Sequence, residues 1–176
     1  MIYRLEACPF VQSYRAQPSR CNYFHEGAFR TYVPDFHVQT KLGEFLVEVK
    51  PDDVLNDPDE ISRLRSIAKM FRSRGTRFRL FLEAEIRRRP YLQNAELVNR
   101  YRFENYDPPP RAYAILNRIL DCGIRTTAAE ITNHLDMKCV RHAVLPLISL
   151  GLARMNFSEP FGAKSVIWRP VWEATL

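Results

Sequence analysis

The chain has 176 residues, enough for one domain of ordinary size or two small ones, and 46% of them are apolar. Its formal net charge of +6 favours an anionic partner without identifying one. No apolar run approaches the roughly 20 residues that span a bilayer, and the four cysteines show neither a CxxC spacing nor a preceding secretory signal. We therefore expect a cytoplasmic protein, with no membrane span, zinc site or disulfide framework.

The first half of the chain predicts strands followed by a helix, a further strand and a second helix. The predicted elements are, in order, strands at Arg20–His25, Ala28–Val38 and Glu44–Lys50, a helix at Asp59–Arg74, a strand at Arg77–Glu83 and a helix at Tyr91–Phe103. Acidic residues begin the first helix and Gly75 terminates it. This order predicts a mixed sheet with flanking helices, which is an α+β or α/β fold.

Within this region, the stretch from Tyr32 to Lys50 predicts a hairpin with two carboxylates and a lysine on one face. If its turn is centred between Lys41 and Leu42, Asp35 lies directly opposite Glu48, with Cβ atoms about 5 Å apart. Strand alternation gives one face made of Val33, Asp35, His37, Leu46, Glu48 and Lys50, and another made of Tyr32, Phe36, Val38, Phe45, Val47 and Val49. We predict that the first face carries chemistry and that the second is core.

The opposed carboxylates indicate a metal-dependent nuclease. Like charges facing each other across two strands are destabilising unless a counterion neutralises them, and oxygen ligands suit Mg²⁺ or Mn²⁺. Such an ion lowers the pKa of a bound water and stabilises charge on a phosphate, and Lys50 can assist from the same face. The alternative is that Asp35 is a surface residue near a turn and that Glu48 and Lys50 form an ordinary solvated ion pair.

A basic region follows the hairpin. Between Ser62 and Arg102 there are twelve Lys or Arg residues against three Glu, which is the charge pattern that a phosphate backbone requires. The candidate DNA-binding residues in this region are Arg63, Lys69, Arg72 and Arg74. The alternative is a solvated helix face.

A proline run that begins at Pro108 cannot continue a helix, and we predict a domain boundary there, giving domains at 1–107 and 108–176. The sequence of the second domain predicts three helices and a hairpin. The first helix is Arg111–Leu120, and the second is capped by Thr126 or Thr127 with Glu130 and has Leu135 facing inward. The third runs from Met137 or Lys138 to Gly151, and the hairpin strands are Leu152–Phe157 and Ser165–Arg169. That order predicts a winged helix.

In a winged helix the third helix enters a major groove, so Lys138, Arg141 and His142 are the predicted DNA readers. Winged helices also serve as dimerisation or docking modules. Only eight basic residues stand against five acidic ones from Pro108 onward, so both interpretations stay open.

Several motifs in consistent order resemble one family. They are the stretch Leu5–Pro18 with Gln17, the sequence Tyr-Val-Pro-Asp-Phe ending at Phe36, the sequence Glu-Val-Lys-Pro ending at Pro51, and Glu85-Ile-Arg with Asn94. Together they resemble the N-terminal domain of TnsA-type transposon endonucleases, which belong to the PD-(D/E)XK, or restriction-endonuclease-like, superfamily. The trailing winged helix is similar to the second domain of such proteins.

The resemblance implies a Mg²⁺-dependent endodeoxyribonuclease that cuts duplex DNA at a transposon end beside a partner transposase. Family roles fall on Asp35 and Glu48 as metal ligands and on Lys50 as the catalytic lysine, while Gln17 matches a position near the site. The family's helical acidic residue precedes the Leu5–Pro18 stretch, and Glu6 does not match it.

That departure leaves three alternatives: a truncated start, a site that works with two carboxylates, or a fold that has lost cleavage. The last would make the chain a cleavage-deficient DNA- or protein-binding subunit of a phage or transposon complex. A homo-oligomer is compatible with the sequence as well.

Overall fold

The computed structural model describes residues 1–103, 110, 114–115, 117–118, 125–131 and 137–170, in two compact units, Met1–Arg87 and Arg88–Leu176. The predicted boundary between residues 107 and 108 and most of the predicted helix Arg111–Leu120 lie outside the described residues. The helix Tyr91–Phe103, which we assigned to the first domain, has its contacts in the second unit. Within the described segments, no helix has the length and apolar character needed to cross a bilayer.

The N-terminal unit is built on a four-stranded mixed sheet and a separate hairpin. Its elements are α1 (Ile2–Ala7), β1 (Val11–Ala16), β2 (Cys21–His25), β3 (Ala28–Tyr32), β4 (Phe36–Thr40), β5 (Gly43–Lys50), a 3₁₀ turn (Asp52–Asn56), α2 (Pro58–Ser73), β6 (Arg77–Leu82) and α3 (Glu83–Arg87). The sheet order is β1-β4-β5-β6, with β5 and β6 parallel and the other neighbours antiparallel. Within the part of the chain that the structure describes, strands β2 and β3 pair only with each other.

The predicted register of the β4–β5 hairpin is confirmed. Phe36 pairs with Val47 and Thr40 pairs with Gly43, so the turn is the predicted Lys41-Leu42 pair. The single strand that we predicted over Ala28–Val38 is wrong, because the chain leaves the β2–β3 hairpin after Tyr32 and enters the sheet only at Phe36. Buried Pro34 interrupts the stretch, since proline has no N–H to donate to a ladder.

Both faces of the sheet are packed, which corrects the prediction that only one face is core. On one side Val38 and Val47, both fully buried, pack with Leu5, Phe81 and Ile86. On the other side Leu46 and Phe78 pack against a cluster of Tyr23, Tyr32, Ile67 and Phe71. The chemistry face therefore carries apolar contacts as well as charges, and the hairpin and helix above it limit how much solvent reaches the charged residues.

Helix α2 forms much of that second cover. Asp57 caps its N-terminus by accepting hydrogen bonds from the N–H groups of Asp59 and Glu60, each at 3.0 Å. Its buried residues, Leu64, Ile67 and Phe71, recur at helical spacing on one stripe. Gly75 ends the helix with a φ of +71°, a left-handed conformation that glycine adopts without strain. The helix is confirmed with each end shifted by one residue.

The C-terminal unit contains α4 (Tyr91–Phe103), β7 (Thr126–Thr127), α5 (Ala128–Ile131), α6 (Met137–Ser149), β8 (Arg154–Met155) and β9 (Val166–Trp168). The three short strands form an antiparallel sheet in the order β7-β9-β8. The predicted capping box is confirmed at Thr127, which accepts the N–H of Glu130 and donates its own N–H to that carboxylate. The predicted inward position of Leu135 lies outside the described residues.

The mixed sheet with helices on both faces fits the restriction-endonuclease-like fold that we predicted for the N-terminal unit. The hairpin predicted near the C-terminus is present but short, and the winged-helix assignment stays a prediction.

Candidate active site

Asp35 lies at the point where the chain enters the sheet. It follows Pro34 and immediately precedes β4, and its Oδ2 accepts the N–H of Val49 at 2.7 Å. This side-chain hydrogen bond joins Asp35 to β5 just beyond the last paired residues of the two strands, Phe36 and Val47. Among the described residues, Asp35 Oδ1 has no hydrogen-bond partner. One carboxylate oxygen is thus used structurally, and the other is available for a ligand.

Glu48 is the buried acid of the site, with 5% of the residue exposed. The Tyr32 hydroxyl donates to Glu48 Oε2 at 2.6 Å, and Lys50 Nζ lies 3.1 Å from Glu48 Oε1. Burial raises the pKa of Glu48, with the negative charge of Asp35 adding to that rise, while the hydrogen bonds from Tyr32 and Lys50 oppose it. The N–H group that Asp35 accepts belongs to Val49, the residue after Glu48, so Asp35 and Glu48 lie on adjoining segments.

Lys50 lies between two carboxylates. Its Nζ is 3.1 Å from Glu48 Oε1 and 3.3 Å from Oε1 of Glu60, in the first turn of α2. Burial lowers the pKa of Lys50, but hydrogen bonds and charge attraction from the two glutamates outweigh that effect and raise it above its ordinary value. Lys50 is therefore a fixed cation at neutral pH.

Glu60 is itself held by Arg63 through two parallel hydrogen bonds, from Nε at 2.5 Å and from a terminal nitrogen at 2.6 Å. The hydrogen bond from Arg63 lowers the pKa of Glu60 to about 2, with Lys50 adding to the effect. Arg63 also interacts with the Tyr23 hydroxyl, and these partners raise its pKa. A continuous polar network therefore runs from Glu48 through Lys50 and Glu60 to Arg63.

Two contacts involve the three residues predicted to be catalytic. Lys50 is ion-paired with Glu48. Asp35 accepts the N–H of Val49, which stands between those two residues in the chain. Their catalytic role stays a prediction. Gln17 is adjacent through its backbone, since its N–H donates to the Asp35 carbonyl at 2.8 Å while its side chain is exposed. Gln17 also has a φ of +42°, a left-handed conformation that residues other than glycine seldom adopt.

The basic residues predicted on α2 divide into two groups. Arg63 is only 25% exposed and ion-paired with Glu60, so it belongs to the polar network of the site. Lys69 and Arg72 are exposed, and together with Arg65 they recur at i, i+4 and i+7 on the solvent face of the helix. Arg74 is also exposed and donates to the Asn22 carbonyl of β2 at 3.2 Å.

The predicted readers of the C-terminal unit lie on α6. Lys138 and Arg141 are exposed, whereas His142 is half-buried and its ring meets that of Tyr101 on α4 at 5.8 Å. Arg141 also lines a cleft of about 350 Å³ with residues of α4, including Arg100. Helix α4 therefore flanks the part of α6 that was predicted to read bases.

Sequence reasoning missed Tyr32 and Glu60. Alternation counted through Pro34 put Tyr32 on the face opposite Glu48, whereas its hydroxyl donates to the Glu48 carboxylate, so that face assignment is wrong. Glu60 could have been found from connectivity. A short connection after β5 brings the first turn of α2 close to the strand's C-terminal end, where Lys50 lies.

Residues 8–83 match the family model described as "TnsA-like endonuclease N terminal". The matched region contains Asp35, Glu48, Lys50 and Glu60, and the match supports the TnsA-type family that the sequence resemblance predicted. No curated protein matches the chain. The candidate site therefore lies within the region that is similar to TnsA-like endonucleases.

Proposed function

We propose that this protein is a metal-dependent DNA endonuclease of TnsA type, acting in transposition or another mobile-element context. The observation that carries the proposal is the grouping of Asp35, buried Glu48 and Lys50 within the region that matches the endonuclease family. Its substrate would be double-stranded DNA, and a transposase or another mobile-element protein would be its partner.

The donor set fits a hard divalent cation. Asp35 contributes a carboxylate oxygen without a described protein partner, and Glu48 contributes a carboxylate whose oxygens each retain acceptor capacity beside Tyr32 and Lys50. Asp35 and Glu48 would hold Mg²⁺ or Mn²⁺ together with water molecules. When bound, the ion supplies an activated water and stabilises charge on the phosphate.

The other site residues have roles that follow from their contacts. Tyr32 fixes the orientation of the Glu48 carboxylate by donating to one oxygen at 2.6 Å. Lys50 keeps its proton and presents positive charge, which would stabilise the negative charge that develops on a phosphate oxygen. Glu60, itself held by Arg63, anchors Lys50 from the α2 side. These fixed partners reduce the reorganisation that the site needs during reaction.

Two surfaces would contact DNA. The exposed basic stripe of α2, formed by Arg65, Lys69 and Arg72, would contact phosphates in a way that does not depend on sequence. In the C-terminal unit, a winged helix would present Lys138, Arg141 and His142 of α6. Because Tyr101 packs on His142, Lys138 and Arg141 are the stronger candidates for DNA contact.

A second candidate function is a cleavage-deficient subunit that binds DNA or protein. One observation favours it: the described residues contain no cluster of three His, Cys, Asp or Glu side chains that could hold a metal ion. A site with two carboxylates relies more on water for its ligands and would hold an ion more weakly.

The experiment that separates the two functions is nicking of supercoiled plasmid with Mg²⁺ or Mn²⁺ by wild type, Asp35→Asn and Asp52→Asn. Asp52 is a matched control, because its Oδ2 accepts the N–H of Ala84 at 2.9 Å much as Asp35 accepts that of Val49. Asparagine keeps a neutral acceptor oxygen in both variants. We expect nicking by wild type and Asp52→Asn, and its loss in Asp35→Asn.

Nicking that survives Asp35→Asn would contradict the assignment of catalysis to this site. Absence of nicking in all three proteins, together with tight duplex binding, would favour the cleavage-deficient subunit. Thermal unfolding with Mn²⁺ adds an independent readout, since ion binding to the native state raises the melting temperature of wild type but not of Asp35→Asn.

A further inference from the structure

Two phenylalanines stand exposed on the β2–β3 hairpin, away from the candidate active site. Phe24 is 57% exposed and Phe29 is 80% exposed, the highest value among the exposed large hydrophobic residues of the described chain. They are directly opposed in the strand register, and their rings meet edge to face with centroids 5.3 Å apart. This Phe24–Phe29 pair places two aromatic rings in solvent, where they lose the benefit of burial.

The hairpin holds the pair rigidly. Its two-residue turn, Glu26-Gly27, has φ values of +50° and +76°, the left-handed pair typical of tight hairpins. On its inner face Tyr23 is buried against α2, and the His25 ring lies 3.1 Å from the Ser66 hydroxyl. The inner face is therefore fixed to the body of the unit, and the outer face presents the aromatic pair without needing to be ordered first.

The surroundings of the pair are basic. Arg20 directly precedes β2 and is exposed, and Arg74 donates to the Asn22 carbonyl, which places its guanidinium at the edge of the hairpin. The acidic residue of the hairpin, Glu26, is already paired with Arg30 at 2.9 Å. Exposed aromatic rings on a hairpin that is bordered by arginines suit a polyanion that also offers flat apolar surface, which is the combination found in nucleic acid.

We propose that the outer face of the β2–β3 hairpin is a DNA-contact surface, in which the Phe24–Phe29 pair packs against bases while Arg20 and Arg74 contact phosphates. The proposal rests on the proposed function, because it takes the substrate DNA as the partner. It adds a contact that depends on ring stacking and so differs in kind from the electrostatic stripe on α2. A protein partner is the competing occupant, and the edge-to-face pair could also serve only to stabilise the hairpin.

The test measures binding of the full chain to a short fluorescein-labelled DNA duplex by anisotropy, in EDTA so that cleavage cannot occur. The variants are Phe24→Ala/Phe29→Ala, the ring-retaining Phe24→Tyr/Phe29→Tyr, and the control Leu42→Ala. Leu42 is a matched control because it is 75% exposed on the tight turn of the other hairpin. Binding is measured over a series of salt concentrations, and thermal unfolding verifies that each variant is folded.

In a duplex the rings would insert between base steps, so we expect the double alanine variant to bind on the order of tenfold more weakly, while the double tyrosine variant and Leu42→Ala bind as wild type does. The slope of log affinity against log salt should stay unchanged in the alanine variant, because no charge is removed. Arg74→Ala should instead reduce that slope by about one. If the double alanine variant does not fold, Phe29→Ala alone decides the matter by the same criteria.

Wild-type affinity in the folded alanine variant would overturn this proposal alone and leave the hairpin to a protein partner or to its own stability. Failure of wild type to bind any duplex would overturn both this proposal and the DNA-directed function. A loss of affinity that appears equally in the tyrosine variant and in Leu42→Ala would also overturn it, since ring stacking would not be the cause.

Discussion

The two hairpins of the N-terminal unit share a turn length but differ in which kind of side chain they bury and which they expose. Each has a two-residue turn, and each contains a side chain in an environment that is unfavourable for it. The β4–β5 hairpin places the carboxylate of Glu48 in the interior at 5% exposure, whereas the β2–β3 hairpin leaves Phe29 in solvent at 80% exposure. In both cases the unfavourable placement coincides with a proposed function.

The difference lies in what covers each hairpin. Strands β4 and β5 are inside a four-stranded sheet packed on both faces, so a charge there needs fixed partners, which Tyr32 and Lys50 provide. Strands β2 and β3 pair with no other strand among the described residues, and α2 covers one of their faces. A buried charge can thus be tuned by its partners, whereas an exposed ring pair is available to another molecule.

The largest expected effect is on stability, and it compares a buried phenylalanine of α2, beneath the β2–β3 hairpin, with an exposed phenylalanine of that hairpin. Phe71 is 4% exposed and packs against the rings of Tyr32 and Phe78, so Phe71→Ala should destabilise the protein by about 3–5 kcal/mol. Phe29→Ala removes one ring of an exposed cross-strand pair and should cost under about 1 kcal/mol. Urea denaturation of both variants measures the two losses, and equal losses would show that Phe29 is part of the core.

Local patterns in the sequence were sufficient to predict much of this fold. The register of β4 and β5 follows from alternation of Phe36, Val38, Phe45 and Val47 around a two-residue turn. A one-residue shift of either strand would turn its apolar side chains to the opposite face of the sheet, away from the cluster that contains Leu5 and Ile86. The break after Tyr32 was missed because strand propensity continues through it. A strand ends where its hydrogen-bonding partner ends. That partner can be distant in the sequence, so the pattern of one segment does not predict the end.

The next effect concerns chemistry at the buried charges. Lys50→Met removes the cation between Glu48 and Glu60, and we expect plasmid nicking to slow on the order of 100-fold, the loss typical of removing one fixed electrostatic group. Lys41→Met, in the exposed turn of the same hairpin, is the control and should nick at nearly the wild-type rate. Initial rates at saturating Mg²⁺ provide the measurement. Equal slowing in both variants would mean that general loss of positive charge, and not Lys50, is responsible.

A smaller effect should follow from the hydroxyl that supports Glu48. Tyr32→Phe leaves a buried carboxylate without one of its hydrogen bonds, at a cost of about 1–3 kcal/mol in the free energy of unfolding. Tyr14→Phe removes a similar bond, to the half-buried Glu6 at 2.7 Å, and should cost about 0.5–1.5 kcal/mol because Glu6 is more accessible to water. Chemical denaturation at neutral pH measures the free energy of unfolding of both variants. If Tyr14→Phe cost as much, burial of Glu48 would not be what makes its partner important.

In the candidate site, the proximity of Asp35, Glu48 and Lys50 could be predicted from the sequence, because all three belong to the same short stretch that forms the β4–β5 hairpin. The positions of Tyr32 and Glu60 could not, since each reaches the site from a different element through a bend or a crossover. The role of Arg63 changed for the same reason: charge composition indicates a DNA contact, but its distance to Glu60 decides that it is paired. Which basic residues are available to a ligand depends on neighbours that are set by tertiary structure.

The smallest expected effect is on pH dependence at the point where α2 meets Lys50. Arg63 and Lys50 lower the pKa of Glu60 to about 2. Its ionised form therefore stabilises the folded state above the ordinary carboxyl pKa of 4.5, and that contribution is lost as pH falls towards 2. Glu60→Gln should therefore be less stable than wild type above this window, with the difference shrinking as pH falls through it. Glu48, whose pKa is raised, acts in the opposite direction, so the difference between the two proteins is the informative quantity. Thermal unfolding from neutral pH down through that window measures it, and a difference that stays constant with pH would show that Glu60 supports α2 by packing and not by its charge.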